Sequence, residues 1–88
     1  MEKHIKQFLD FLQNEKKLSN NTLQSYNRDI NQYKEYLEKN NINYLKVDNE
    51  QINTYMKYLQ DIGKKTSTIS RNLASIRSFY QYLIRIKK

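Results

Sequence analysis

The stretch Lys64–Lys88, KKTSTISRNLASIRSFYQYLIRIKK, decides how the whole chain is read. Ile69, Leu73, Ile76, Tyr80 and Leu83 recur in alternating steps of four and three. At about 100° per residue they fall into one apolar stripe, which predicts an amphipathic helix. Ser67, Arg71, Ala74 and Ser78 lie opposite, with Ser70, Arg77 and Gln81 along the near edge. A solvated helix face ordinarily mixes Glu with Lys, for solubility and for i,i+4 pairs. This one has small residues and arginines, and no acid follows Asp61. Small side chains let a backbone come close to a partner, and arginine reaches phosphate oxygens or the guanine edge. The face suits a helix that lies against nucleic acid.

Charge follows the same division. The chain has 16 Lys and Arg against 9 Asp and Glu, a formal net charge of +7. From Ile62 onward there are seven basic residues and no acid, whereas the first 61 residues carry nine of each sign. All the net charge therefore sits in the last quarter, as in a polyanion binder. The terminal Lys87-Lys88 pair alone reads as a solubilising tail.

Eighty-eight residues make one small domain, near the lower size at which a single core suffices. A mean hydropathy of -1.00 is low, but eight Tyr, three Phe and clear helical periodicity argue for a folded chain. No Pro and a single Gly leave nothing to interrupt helices or to build tight hairpins, so the expected class is all-α. The absence of Cys excludes disulfides and thiolate metal sites and fits a reducing compartment. No apolar run approaches the ~18 residues of a membrane span, and the N-terminus lacks a signal-peptide core. A cytoplasmic location is expected.

Outward from the last helix, three more are expected. The first spans about Glu2 to Lys17 on the stripe Ile5, Phe8, Leu9, Leu12. Ser19 stands as N-cap of a second, to about Lys39, on the stripe Leu23, Tyr26, Ile30, Tyr33, Leu37. Its opposite face carries Asn21, Gln24, Ser25 and Arg28, with Thr22 on the flank. Asn40 to Val47 is a loop pinned by Ile42, Tyr44, Leu45 and Val47. Asp48 and Gln51 have the spacing of a capping box, and Ile52, Tyr55, Met56 and Leu59 form a third stripe. Gly63 is the stop, Lys64-Lys65 the turn, and Thr66 or Ser67 the cap of the fourth helix. Four helices on short connections predict a compact bundle.

Two blocks of residues now match a known pattern. Leu18-Ser19-Asn20-Asn21-Thr22-Leu23-Gln24-Ser25-Tyr26-Asn27-Arg28-Asp29-Ile30 resembles the LS-x-NTL-x-x-Y-x-RD-hydrophobic stretch of tyrosine recombinases of the Xer and phage-integrase type. Thr66 to Leu83, TSTISRNLASIRSFYQYL, resembles the same family's S-x-x-R-x-L-S-A-I/L-R-x-F-Y-x-F/Y-L helix, with Ala74-Ser75 where Ser-Ala is frequent. The resemblance spans essentially the whole chain. It implies the N-terminal core-binding domain, a SAM-like bundle of four helices whose second and fourth cross in the major groove of double-stranded DNA. A separate C-terminal catalytic domain would close from the other side, and other recombinase protomers would share the DNA. By position, Thr22, Gln24, Ser25 and Arg28 would be contacts from the second helix. Ser67, Ser70, Arg71, Ala74 and Arg77 would be contacts from the fourth, with Lys64, Lys65 and Thr66 near phosphates.

The resemblance places catalysis, by a nucleophilic tyrosine with arginines, lysine and histidines, in that other domain. Within this chain Tyr26, Tyr33, Tyr55 and Tyr80 fall on core stripes. Tyr36, Tyr44, Tyr58 and Tyr82 have no activating constellation, so packing is expected for all eight. His4 is expected on the surface of the first turn, and one His without Cys makes no zinc site unless carboxylates gather round it. Glu35 and Glu38 are expected to be solvated. No catalytic residue, metal or cofactor is expected. Two other readings stay open: a free-standing helical DNA-binding regulator or accessory factor, and a SAM-like module whose basic helix meets an acidic protein. Salt-dependent DNA binding separates the last from the others.

Overall fold

Local signals set most of the helix boundaries. The computed structural model describes residues 1–86, so the Lys87-Lys88 tail lies outside the described residues. Four helices follow in order: α1 (Glu2–Asn14), α2 (Asn20–Lys39), α3 (Asn49–Asp61) and α4 (Thr66–Ile86), with one 3-10 turn at Tyr44–Lys46. No strand occurs among the described residues, and the class is all-α.

Ser19 caps α2, its Oγ accepting the Thr22 backbone N–H at 3.3 Å. Asp48 and Gln51 complete the capping box of α3: the Gln51 N–H donates to Asp48 Oδ1 at 2.9 Å and the Asp48 N–H to Gln51 Oε1 at 3.2 Å. Gly63, at φ 89°, ends α3 by letting its own N–H reach the Gln60 carbonyl and that of Lys64 the Leu59 carbonyl. Asn41, at φ 55°, does the same for α2 without a glycine.

Two boundaries differ from expectation. α1 stops at Asn14 rather than near Lys17, because Lys17 turns left-handed at φ 53° and Leu18 folds back to bond the Leu12 carbonyl. Leu18 thereby covers the core edge, which a longer helix would carry it past. α4 already includes Thr66 and Ser67, its first turn closed by the Ile69 N–H on the Lys65 carbonyl, so neither residue stands outside the helix as its cap.

The core is built from Ile5, Phe8 and Leu12 of α1, Ile30, Tyr33 and Leu37 of α2, Tyr55 and Leu59 of α3, and Ile76, Phe79 and Leu83 of α4. Aromatic rings meet edge to face through it, Phe8 on Phe79 at 5.6 Å and Tyr33 on Tyr55 at 5.1 Å between centroids. Such pairs add about 0.5–1.5 kcal/mol beyond burial. In the connection after α2, Ile42, Tyr44 and Val47 pack on the core as expected, but Leu45 points outward and is exposed. His4 is not a free surface group: it is half-buried, hydrogen-bonded to the Tyr44 hydroxyl, with the two rings edge to face. Among the described residues no helix is long and apolar enough to cross a membrane.

The inward face of α4 is turned by roughly 60° from the expected stripe. Asn72, Ser75, Ile76, Phe79 and Leu83 are buried, while Ile69, Leu73 and Tyr80 are only half-buried. The cause is the neighbour on that side. α4 packs most extensively on α2, through residues that include two polar side chains, and Leu73 and Tyr80 on its other flank line an open groove beside α3.

Candidate nucleic-acid interface

A carboxylate on a helix stripe must find partners or be expelled to water. Asp29 lies one turn before Tyr33 on α2 and is completely buried. Three donors from α4 converge on it. Arg71 Nε reaches Oδ2 at 3.0 Å and Arg71 Nη2 reaches Oδ1 at 2.9 Å, a bidentate pair; Ser75 Oγ donates to Oδ2 at 2.9 Å. Arg71 and Ser75 are four residues apart, so one face of one helix supplies all three. This cluster fixes α4 against α2, next to Arg28 in sequence. Farther along the pair, the Tyr33 and Tyr80 hydroxyls meet at 2.8 Å, and Tyr80 donates to the Tyr44 carbonyl at 2.8 Å.

The expected contact residues are distributed around this cluster. On α2, Thr22, Gln24 and Arg28 are exposed and Ser25 is half-buried. Two of them are already engaged locally, Thr22 Oγ1 with Ser19 Oγ and Ser25 Oγ with the Asn21 carbonyl. Lys64 and Lys65 are exposed in the α3–α4 turn, and Thr66, Ser67, Ser70, Ala74 and Arg77 are exposed along α4. The two arginines of α4 part company. Arg77 stands about 120° round the helix from Arg71, beside an open groove between α3 and α4 that Val47, Leu73 and Ile84 also line. Arg71 stands at the edge facing α2, tied to Asp29, with its side chain 44% exposed. Ser70 and Ala74 lie between these two edges, on the strip that faces away from the core. Ser78, expected on the same outer face, is half-buried.

Charge on this face is smaller than the sequence count suggests, because the Asp29 carboxylate offsets Arg71. Its hydrogen bond to Asp29 pushes the Arg71 guanidinium further above its ordinary value. Lys34 is likewise paired, with Glu2 at 2.6 Å, which fastens the start of α1 to α2. That bond holds the Glu2 carboxyl below its ordinary value. Lys64, Lys65, Arg28 and Arg77 form no ion pair among the described residues.

Burial pushes the hydroxyls of Tyr33, Tyr55 and Tyr80 above the ordinary tyrosine value. An activated nucleophile needs the opposite shift, so these rings serve packing. Among the described residues no three His, Cys, Asp or Glu side chains gather in a way that could hold a metal.

Sequence reasoning missed Asp29, Ser75 and Asn72, all buried. The signal was present: Asp29 follows Tyr26 by three and precedes Tyr33 by four, an acid within an apolar stripe. Such an acid calls for a cation from a facing helix, and Arg71 with Ser75 is the pair that can meet it.

The family described as phage integrase, N-terminal SAM-like domain, matches residues 5–87. Tyrosine recombinase XerD of Staphylococcus epidermidis is 40% identical over 84 residues, covering 94% of this chain and 28% of the relative. XerD of Oceanobacillus iheyensis is 42% identical over 87 residues, covering 97% and 29%, and XerD of Staphylococcus aureus is 38% identical over 88 residues, covering 99% and 30%. The chain thus spans less than a third of the length of these relatives. No solved structure matches it. With a match over nearly all its length and a bundle of four helices to go with it, the chain belongs to the phage-integrase N-terminal SAM-like domain family.

Proposed function

We propose that this chain is the part of a tyrosine recombinase that grips double-stranded DNA. α2 and α4 enter the major groove of the core half-site, and strand cleavage is left to a catalytic domain of the same protein. The bound DNA would be shared with other recombinase protomers, and the work would be done in the cytoplasm, where the DNA is. The observation that carries this reading is the outer strip of α4. It is exposed, free of acids, made of Ser67, Ser70 and Ala74, and edged by Arg77. The Asp29 cluster holds it beside α2 and Arg28. Small residues allow the helix backbone to approach base edges, and the flanking cations meet the sugar-phosphate walls.

Titration of a labelled mixed-sequence duplex at rising salt tests this. With half of a clamp, binding near the non-specific range of about 10⁻⁴ to 10⁻⁶ M is expected, weakening steeply as rising salt reduces the free energy gained by releasing counterions from the DNA. Binding indifferent to salt, or none at low salt, refutes the reading.

A further inference from the structure

Arg71 is expected among the DNA contacts of the fourth helix, and its geometry is that of a fixed part. The Nε–H and one Nη2–H lie on the Asp29 carboxylate at 3.0 and 2.9 Å. That pairing uses the side of the guanidinium and leaves its end, the two Nη1 hydrogens and the second on Nη2, without a hydrogen-bond partner among the described residues. The end-on edge of the fork is the geometry that takes two oxygens of one phosphate. Asp29 is itself held from a second side: it is fully buried, and Ser75 Oγ donates to the same Oδ2 that Arg71 Nε binds.

We propose that Asp29 is a positioning residue for DNA, a buried carboxylate that never touches the duplex but aims the outer edge of Arg71 at a backbone phosphate beside the α2–α4 crossing. The inference rests on the DNA-binding reading above and adds to it a division of labour. Arg71 is locked and supplies geometry. Arg28, Arg77, Lys64 and Lys65 are unpaired and supply charge. Because Asp29 offsets the charge of Arg71, the pair adds little long-range attraction, and its contribution is made by hydrogen bonds at contact. A locked fork also loses less side-chain freedom on binding than a free arginine, which favours a single register of protein on DNA.

Charge and positioning predict opposite signs for one variant, which makes the test sharp. Asp29→Asn raises the net charge by one and keeps a side chain of the same shape. If only charge mattered, it would bind the labelled mixed-sequence duplex more tightly. If Asp29 aims Arg71, it binds more weakly, by roughly three- to tenfold, at a temperature where a urea melt shows the variant folded. Arg71→Lys is the companion variant. It keeps the charge but cannot hold a carboxylate side-on and a phosphate end-on together, so a similar loss is expected. Asp29→Asn binding as tightly as wild type or tighter, or Arg71→Lys binding like wild type, overturns the proposal while leaving DNA binding itself intact. A wild-type chain that ignores the duplex even at low salt removes the reading on which the proposal stands, and the proposal with it.

Discussion

At the scale of single residues, the chain depends on how it treats its buried polar groups. Removing Arg71 leaves the Asp29 carboxylate, fully buried, with only the Ser75 hydroxyl. Arg71→Ala is therefore expected to lower stability by about 2–4 kcal/mol, less than a fully buried pair would lose because Arg71 is partly solvated. Arg77→Ala, on the same helix but unpaired, is expected to stay within about 0.5 kcal/mol. Urea midpoints compare the two, and equal midpoints would contradict the assignment of Asp29. The buried tyrosines make a second expectation, in pH. Tyr33, Tyr55 and Tyr80 have folded-state values raised by burial above the ordinary value of about 10. The unfolded chain ionises first as pH rises, so their contribution is complete below about pH 10 and is lost as pH climbs through the folded values. In an alkaline titration these three of the eight tyrosines should ionise only as the helical circular-dichroism signal disappears. All eight ionising near pH 10 with the helices intact would be the contrary result.

At the scale of helices, what the sequence announced and what it hid have physical reasons. Caps are local chemistry, so Ser19, Asp48 with Gln51, and Gly63 could be read directly. The left-handed turn at Lys17 carries neither glycine nor asparagine and gave no such sign. The rotation of α4 was hidden for another reason. Apolar periodicity places a polar residue outside, whereas Asn72 and Ser75 are inside, Ser75 donating to Asp29 and Asn72 Nδ2 to the Thr68 carbonyl at 2.9 Å, with Asn72 Oδ1 left without a partner among the described residues. Phe79, excluded from the expected stripe, is as deeply buried as Ile76 for the same rotation. Ile76 belongs to both stripes and is the safest probe of the packing. Ile76→Ala should cost about 2–5 kcal/mol, through lost transfer energy and the cavity left behind. An unresolvable change in the urea midpoint would mean that α4 does not pack on this face. The candidate site was legible in the same uneven way. Positions exposed on α2 and α4 followed from periodicity, but the tether on Arg71 needed the facing helix, which no single stripe reveals.

At the scale of the whole molecule, the bundle is a flattened body, 35 × 28 × 18 Å, in which α2 and α4 are joined by polar contacts and the aromatic core lies beneath them. That construction lets one outer strip stay small and uncommitted to the core, which is what docking in a groove requires. The central claim, that this strip of α4 meets DNA, is tested most directly at Ala74, which is exposed between the Arg71 and Arg77 edges. Ala74→Glu and Lys57→Ala each change the net charge by one in the negative direction, but Lys57 lies on the outer side of α3. Both should keep wild-type stability within about 0.5 kcal/mol, since both positions are exposed. Duplex affinity at one fixed, low salt concentration is then measured for the two variants and the wild type. Loss of detectable binding in Ala74→Glu with near wild-type binding in Lys57→Ala is the expected result; equal small losses in both would mean that net charge, and not the α4 strip, holds the DNA.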